Sequence, residues 1–138
     1  MTLAEAQRIA IASDADVVTA RQRARTLAIE LEMASTDQTL LATAISEIAR
    51  NITTYASHGE VLIDVVRDAL GRPGVRVVAR DEGPGIEDVE RALTDGFTTG
   101  GGLGLGLPGA RRLVDEFAID TAPGRGTTVT LIKWAQRV

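Results

Sequence analysis

Hydrophobic positions change their period several times along the chain, and each change marks an element. Arg8-Ile9-Ala10-Ile11-Ala12 is a short apolar run and reads as a strand. Ser13 stands three residues before Asp16, a capping-box spacing that opens a helix. Val17, Ala20, Ala24, Leu27 and Leu31 then recur at three- and four-residue steps and give that helix one buried stripe. Ser35 and Gln38 repeat the capping pattern and open a second helix. Its apolar stripe is Leu41, Ile45, Ile48, Ile52 and Tyr55, with a polar stripe of Glu47, Asn51 and Thr54 beside it. This helix should stop near His58-Gly59, where glycine suits a C-terminal stop.

After Gly59 the period becomes two. Val61, Ile63 and Val65 line one side of a strand, Gly71-Arg72-Pro73-Gly74 is turn chemistry, and Val75, Val77 and Ala79 line a returning strand. Glu87 to Leu93 could form a short helix, and Thr94 to Gly106 is a loop with six glycines. Pro108 fits a helix first turn, and Ala110, Leu113, Val114 and Phe117 supply that helix with an apolar face. Ala118-Ile119-Asp120, the turn Pro123-Gly124-Arg125-Gly126 and the run Thr127 to Trp134 make a second hairpin. The expected architecture is α/β: one domain over residues 1–138, a two-layer α/β sandwich with helices on one face of a mixed, largely antiparallel sheet.

Composition narrows the chemistry. The 138 residues are 44% hydrophobic and 25% charged, ordinary values for a soluble domain with a real core. A net charge of -4 argues against a nucleic-acid partner, since phosphate contacts favour a basic surface. With no cysteine and only His58, thiolate catalysis and Cys/His metal clusters are excluded. No run reaches the roughly 18 apolar residues of a membrane helix, and the N-terminus lacks the order of a signal peptide, so the expectation is a cytoplasmic protein with no membrane partner.

Three segments carry candidate chemistry. Glu47 and Asn51 are one helical turn apart, so a carboxylate and an amide share a face. The amide oxygen suits Mg²⁺, and the carboxylate can take a proton from a hydroxyl; the same spacing also occurs on plain solvated helix faces. Asp81 falls on the buried side of its strand, where a carboxylate needs a partner. Asp81-Glu82-Gly83-Pro84-Gly85 then turns sharply, so Asp81 reads either as an acceptor for an adenine amino group or as a turn-stabilising Asp. Gly100-Gly101-Gly102-Leu103-Gly104-Leu105-Gly106 leads into a helix, a junction suited to phosphate. A P-loop fails for want of a Lys after these glycines. Gly104-x-Gly106-x-x-Gly109 fits the dinucleotide fingerprint only formally, because no strand precedes it.

In order and spacing, these segments resemble the motifs of the GHKL (Bergerat-fold) ATPases and kinases. Glu47-Ile48-Ala49-Arg50-Asn51 is similar to their N box, Asp81-Glu82-Gly83-Pro84-Gly85-Ile86 to their first glycine box, and Gly102-Leu103-Gly104-Leu105-Gly106-Leu107 to their second, with its ATP lid. Gly126-Thr127 resembles the later Gly-Thr element beside the adenine. Ala20-Arg21-Gln22, Asp37-Gln38, Gly96-Phe97, Leu107-Pro108-Gly109, Arg112-Leu113 and Asp115-Glu116-Phe117 extend the likeness to the RsbT-like serine/threonine switch kinases of bacterial stress signalling. Anti-sigma factor kinases lack the Gly-Leu-Pro-Gly stretch.

The resemblance implies ATP with Mg²⁺ as cofactors. It implies Glu47 as the base, Asn51 as the Mg²⁺ ligand and Asp81 as the acceptor for the adenine amino group. Gly83, Gly85 and Ile86 would shape that wall, with Thr127 assisting through water. Gly100, Gly101, Gly102, Leu103, Gly104, Leu105 and Gly106 would wrap the phosphates, with Thr98 and Thr99 near the γ-group. It further implies phosphorylation of STAS-domain scaffold and antagonist proteins, followed by activation of a PP2C-type phosphatase. Two other readings stay open: an anti-sigma factor that sequesters a sigma factor, and an ATP-binding adaptor without significant turnover. A homodimer is also left open. Histidine kinases often place Lys three residues after the Mg²⁺ Asn; Thr54 stands there, which speaks against histidine-kinase chemistry. His58 reads as a solvated loop residue, and Arg21, Arg23 and Arg25 as a candidate partner surface or a solvated face.

Overall fold

A computed structural model describes residues 6–86 and 106–135. Their order is β1 (Gln7–Ile11), α1 (Asp14–Glu30), α2 (Ser35–Tyr55), β2 (Gly59–Arg67), β3 (Pro73–Asp81), α3 (Gly106–Leu113), β4 (Glu116–Thr121) and β5 (Thr127–Trp134). The strands form one sheet in the order β1-β2-β3-β5-β4. Every pairing among the described residues is antiparallel, so the parallel component of a mixed sheet is missing there. The reason lies in the connections: β2–β3 and β4–β5 are hairpins, and two successive helices between β1 and β2 return the chain antiparallel. The helices cover one face, giving the expected two-layer sandwich.

Side-chain period decides the core. Ile9 and Ile11, Val61 and Ile63, Val75 and Val77, and Val129 and Leu131 all point to the helical side and are buried. From α1 come Val17, Ala20, Ala24 and Leu27; from α2, Leu41, Ile45, Ile48 and Ile52. Both stripes match the sequence reading, except that Tyr55 leaves its stripe and is 46% exposed. Phe117 also moves: it lies in β4, because α3 ends at Leu113, and it packs at the margin of the core.

The two capping boxes behave differently. Ser13 caps α1, accepting from the Asp16 N–H, while Asp16 accepts from the Ala12 N–H in return. At α2 the cap position is Ala34, whose side chain can cap nothing, and Ser35 is already helical. Gln38 instead donates to the Met33 carbonyl. A charge cluster anchors this end of α2. Lys133 Nζ lies 3.6 Å from Asp37 Oδ1 and 3.9 Å from Oδ1 of the exposed Asp115. Burying Lys133 and Asp37 is tolerable only because they are paired, and Asp37 also faces the positive end of its helix. At its other end α2 stops at Tyr55 with Ala56 as cap, and the chain turns away at Ser57, a non-glycine in the left-handed region at φ 71, two residues before the expected glycine.

The outer face of the sheet carries cross-strand ion pairs. Arg76 grips Asp64 directly opposite, and Glu60 sits between Arg8 and Arg80. Hydrogen bonds from Arg8 first and Arg80 next hold the Glu60 carboxyl below its usual 4.5, and the Arg72 backbone N–H chiefly holds Asp68 below 3.8. Carboxyls depressed in the folded state stabilise it fully above their unfolded values, and that stability is lost as pH falls through the folded ones. Urea midpoints should therefore stay flat from pH 7 to about 5 and decline below. Glu60→Gln should show a shallower decline between about pH 5 and 3. An unchanged acid limb in that variant would mean that this cluster is not coupled to folding.

Candidate nucleotide site

Helix α2 carries the polar stripe, and its apolar stripe sets the direction of that stripe. With Ile45, Ile48 and Ile52 locked in the core, Glu47 and Asn51 are turned to the margin of the helical layer beside α3. Glu47 is nearly buried, its side chain 14% exposed, and both of its oxygens are engaged. Oε1 accepts from the backbone N–H of Gly106, the first residue of α3, at 2.9 Å; Oε2 accepts from Arg50 Nη1 at 2.9 Å. The Gly106 N–H, expected to face a phosphate, is thus shared with the candidate base. Asn51 is half-buried one turn further on. Among the described residues no cluster of His, Cys, Asp or Glu could hold a metal, so an ion here would draw on the Asn51 oxygen, phosphates and water. That donor set fits Mg²⁺, which keeps water and substrate phosphates in its shell.

The other end of the site forms where β3 stops. Asp81 stands opposite Gly59 on β2 and Thr127 on β5. A Cβ on Gly59 would lie 2.3 Å from the Arg80 carbonyl oxygen and 2.9 Å from Ile52 Cγ2, so only glycine lets this strand pair start against α2. Asp81 Oδ1 accepts from the Gly83 N–H at 2.9 Å, a local turn bond. Oδ2 makes no hydrogen bond among the described residues. The turn-stabilising reading of Asp81 is thus observed at Oδ1. Gly83 in turn presses against the end of α2, where a Cβ would come 2.6 Å from Ala56 Cβ. From Glu47 to Ala56 is roughly 13 Å along the helix axis at 1.5 Å per residue. The Glu47–Gly106 contact and the glycine turn after Asp81 are thus spaced along one helix.

The first glycine box is held in place by the β4–β5 hairpin. The Gly124 N–H donates to the Pro84 carbonyl at 2.7 Å, and the Ile86 N–H donates to Thr121 Oγ1 at 2.9 Å. Thr121 gives its own proton to the Gly126 carbonyl, so the 3.0 Å contact with Thr127 Oγ1 runs from Thr127 to Thr121. Thr127 is almost fully buried, and its hydroxyl proton is taken by Thr121. Sequence reasoning missed Thr121; only the hairpin register, Thr121 opposite Thr127, exposes it. It also missed Arg50, a residue inside the N box, and the bond between Glu47 and Gly106. Thr98, Thr99, Gly100, Gly101, Gly102, Leu103, Gly104 and Leu105 lie outside the described residues, as do Phe97 and the segment 87–93. A recess of about 360 Å³ at the end of β3 is lined by Asp81 and Glu82 together with Arg8, Glu60, Arg80 and Thr128. It contains neither Glu47 nor Asn51, and Asp81 is the candidate site residue that borders it.

Gly126 and Gly124 allow a clean comparison, because both have φ near 79 but different surroundings. A Cβ on Gly126 would lie 2.2 Å from the Asp81 carbonyl oxygen, while one on Gly124 meets nothing within 4 Å. Gly124→Ala should cost only the left-handed strain of about 1–2 kcal/mol. Gly126→Ala should cost a further 1–3 kcal/mol or so, since the Asp81 strand end must move. Equal unfolding free energies for the two variants would disprove the close approach of the hairpin to Asp81.

Comparison with known proteins agrees with this geometry. Residues 36–137 match the family described as Histidine kinase-, DNA gyrase B-, and HSP90-like ATPase. The chain is 47% identical over 126 residues to Serine/threonine-protein kinase RsbT of Bacillus subtilis (strain 168), covering 91% of this chain and 94% of that protein. It is 33% identical over 98 residues to Anti-sigma F factor of Caldanaerobacter subterraneus subsp. tengcongensis, covering 69% and 68%. Among solved structures, the RsbU and RsbW domains of Rv1364c from Mycobacterium tuberculosis align with a TM-score of 0.65 at 22% identity. That alignment covers 97% of this chain and 34% of the other. The mycobacterial sensor histidine kinase MprB aligns at 0.56 and 16% identity, over 99% of this chain and 100% of the other. These two likenesses carry the fold alone. With α2, Asp81 and the α3 terminus gathered as they are, the chain belongs to the histidine kinase-, DNA gyrase B- and HSP90-like ATPase family, among its RsbT-like serine/threonine kinases.

Proposed function

We propose that this protein is an ATP-dependent protein serine/threonine kinase that works as a partner switch, phosphorylating STAS-domain scaffold and antagonist proteins and then activating a PP2C-type phosphatase. The observation that carries the reading is the Glu47 carboxylate bound to the N-terminus of α3. It puts a proton acceptor beside a helix end that attracts phosphate. The similarity to RsbT over nearly the whole chain supports the choice of protein hydroxyls as acceptors. No helix among the described residues is long and apolar enough to cross a membrane, which accords with work in the cytoplasm.

In this reading a Ser or Thr hydroxyl of the partner meets Glu47, which takes its proton. The hydroxyl oxygen forms a bond to the γ-phosphorus as the bond from that phosphorus to the β,γ-bridging oxygen breaks, and ADP leaves with the electron pair. Asp81 Oδ2 accepts from the adenine amino group, Thr127 accepts from a bridging water, and Gly83, Gly85 and Ile86 form the wall beside the base. Mg²⁺, held by Asn51, supplies charge neutralisation for the phosphates. The α3 N-terminus adds its dipole. The lid segment with Thr98, Thr99 and Gly100 to Gly106 is assigned to the phosphates on the resemblance alone. A second reading, an anti-sigma factor, draws on the 33% identity to Anti-sigma F factor. Co-purification with a sigma factor instead of a STAS protein would favour it.

Asp81→Asn gives a sharp test. Asn can keep the turn by accepting from Gly83 through its oxygen, but then its amide nitrogen, a donor, faces the adenine donor. Loss of such a charged hydrogen bond costs on the order of 1.5–3 kcal/mol. Calorimetric ATP affinity should fall about tenfold or more in a protein that still folds. Glu47→Ala should bind Mg²⁺-ATP as before and transfer phosphate about 10²-fold more slowly or worse. Unchanged affinity in the first variant removes Asp81 from the site, and a normal transfer rate in the second removes Glu47 as the base.

A further inference from the structure

We propose that Arg50 is a positioning residue for phosphoryl transfer, fixing the plane of the Glu47 carboxylate. The inference rests on the reading of Glu47 as the base and goes beyond it to a residue the chemistry itself does not touch. Arg50 follows Glu47 by three positions on α2, so the two side chains meet over one turn. Arg50 Nη1 binds Oε2, while the Gly106 N–H binds Oε1, both at 2.9 Å. The terminal torsion of a glutamate is broad and roughly two-fold. One bond from Gly106 would leave the carboxylate free to swing about that contact. A second bond, at the other oxygen and from another direction, removes this freedom. Each carboxylate oxygen still has a lone pair to spare, so the group is held without being used up.

Burial separates this role from a structural one. The Glu47 side chain is 14% exposed and that of Arg50 48% exposed, so a half-exposed guanidinium binds a nearly buried acid. A half-exposed pair of this kind adds little to fold stability. Its effect should instead appear where orientation matters, in the transfer step, because small misplacements of a reacting group carry large rate penalties. Arginine suits the task better than lysine, since its planar fork fixes the direction of the bond as well as the charge.

The test is phosphorylation of a purified STAS-domain protein from the same organism with labelled ATP, using wild type, Arg50→Ala, Arg50→Lys, Glu47→Ala and the double variant. Calorimetric ATP affinity and thermal midpoints are measured alongside. Arg50→Ala should lower kcat about tenfold or more while ATP affinity and midpoint stay near wild type. Arg50→Lys should recover part of the rate. The double variant should be no slower than Glu47→Ala alone, since Arg50 acts only through Glu47. Two results would overturn the positioning role while leaving the base in place: Glu47→Ala slow with Arg50→Ala at or above the wild-type rate, or additive losses in the double variant. Parallel losses of ATP affinity and midpoint in Arg50→Ala would also overturn it, as a structural effect. A wild-type rate in Glu47→Ala would instead overturn the base reading, and this inference with it.

Discussion

Helix α2 is fixed in rotation by the burial of Leu41, Ile45, Ile48 and Ile52 between the sheet and the flanking helices. Each of these side chains contributes roughly 1.5–3 kcal/mol by leaving water. A slip of one residue would turn the helix by about 100° and carry all of them out of the core. The same constraint sets where Glu47 and Asn51 point. Lys133, between Asp37 and Asp115, holds the helix at its N-terminal end, and Gly59 and Gly83 let strand and loop close on its C-terminal end. A rigid rod thus carries the Glu47 carboxylate at one point and the contact with the glycine turn at Gly83 about two and a half turns later.

Around that rod, backbone hydrogen bonds do more of the positioning than side-chain charges. The loop after β3 is bound at Pro84 and Ile86 to the β4–β5 hairpin; a side chain on Gly85 would strike the Ala122 carbonyl, and one on Gly83 would strike Ala56. The ion pairs of the outer face, among them Asp64–Arg76 and Arg8–Glu60–Arg80, lie on the side of the sheet away from the site. They lace the strands together. At the end of β3 one local bond of Asp81, from the Gly83 N–H, closes the turn.

Much of this could be read from the sequence, because the relevant signals are local. The period-two runs Val61-Ile63-Val65 and Val75-Val77-Ala79 gave the hairpin and its buried face. Ser13 with Asp16 marked a true capping box, and the order of the Glu47, Asp81 and Gly102 segments gave the family. What escaped were contacts between segments. Ser35 and Gln38 have capping-box spacing, yet Ala34 occupies the cap, and only the fold shows that Gln38 turns to Met33 instead. Phe117 fits a helical stripe by spacing but belongs to a strand that pairs with β5. Gly59 resembles a helix stop, whereas its lack of a side chain serves the approach of Arg80 and Ile52. Thr121 depends on hairpin register, and the tie from Glu47 to Gly106 joins positions 59 apart, beyond any periodicity.

The central claim is that one nucleotide lies along α2, with its base at Asp81 and its phosphates at the start of α3. A crystal structure with Mg²⁺ and a non-hydrolysable ATP analogue tests it most directly. The account predicts the adenine amino group within hydrogen-bond distance of Asp81 Oδ2 and the terminal phosphate beside Gly106 and Glu47. A nucleotide held between Arg8 and Arg80 with no contact to Glu47 or Gly106, or one bound along α2 with its base away from Asp81, would contradict it.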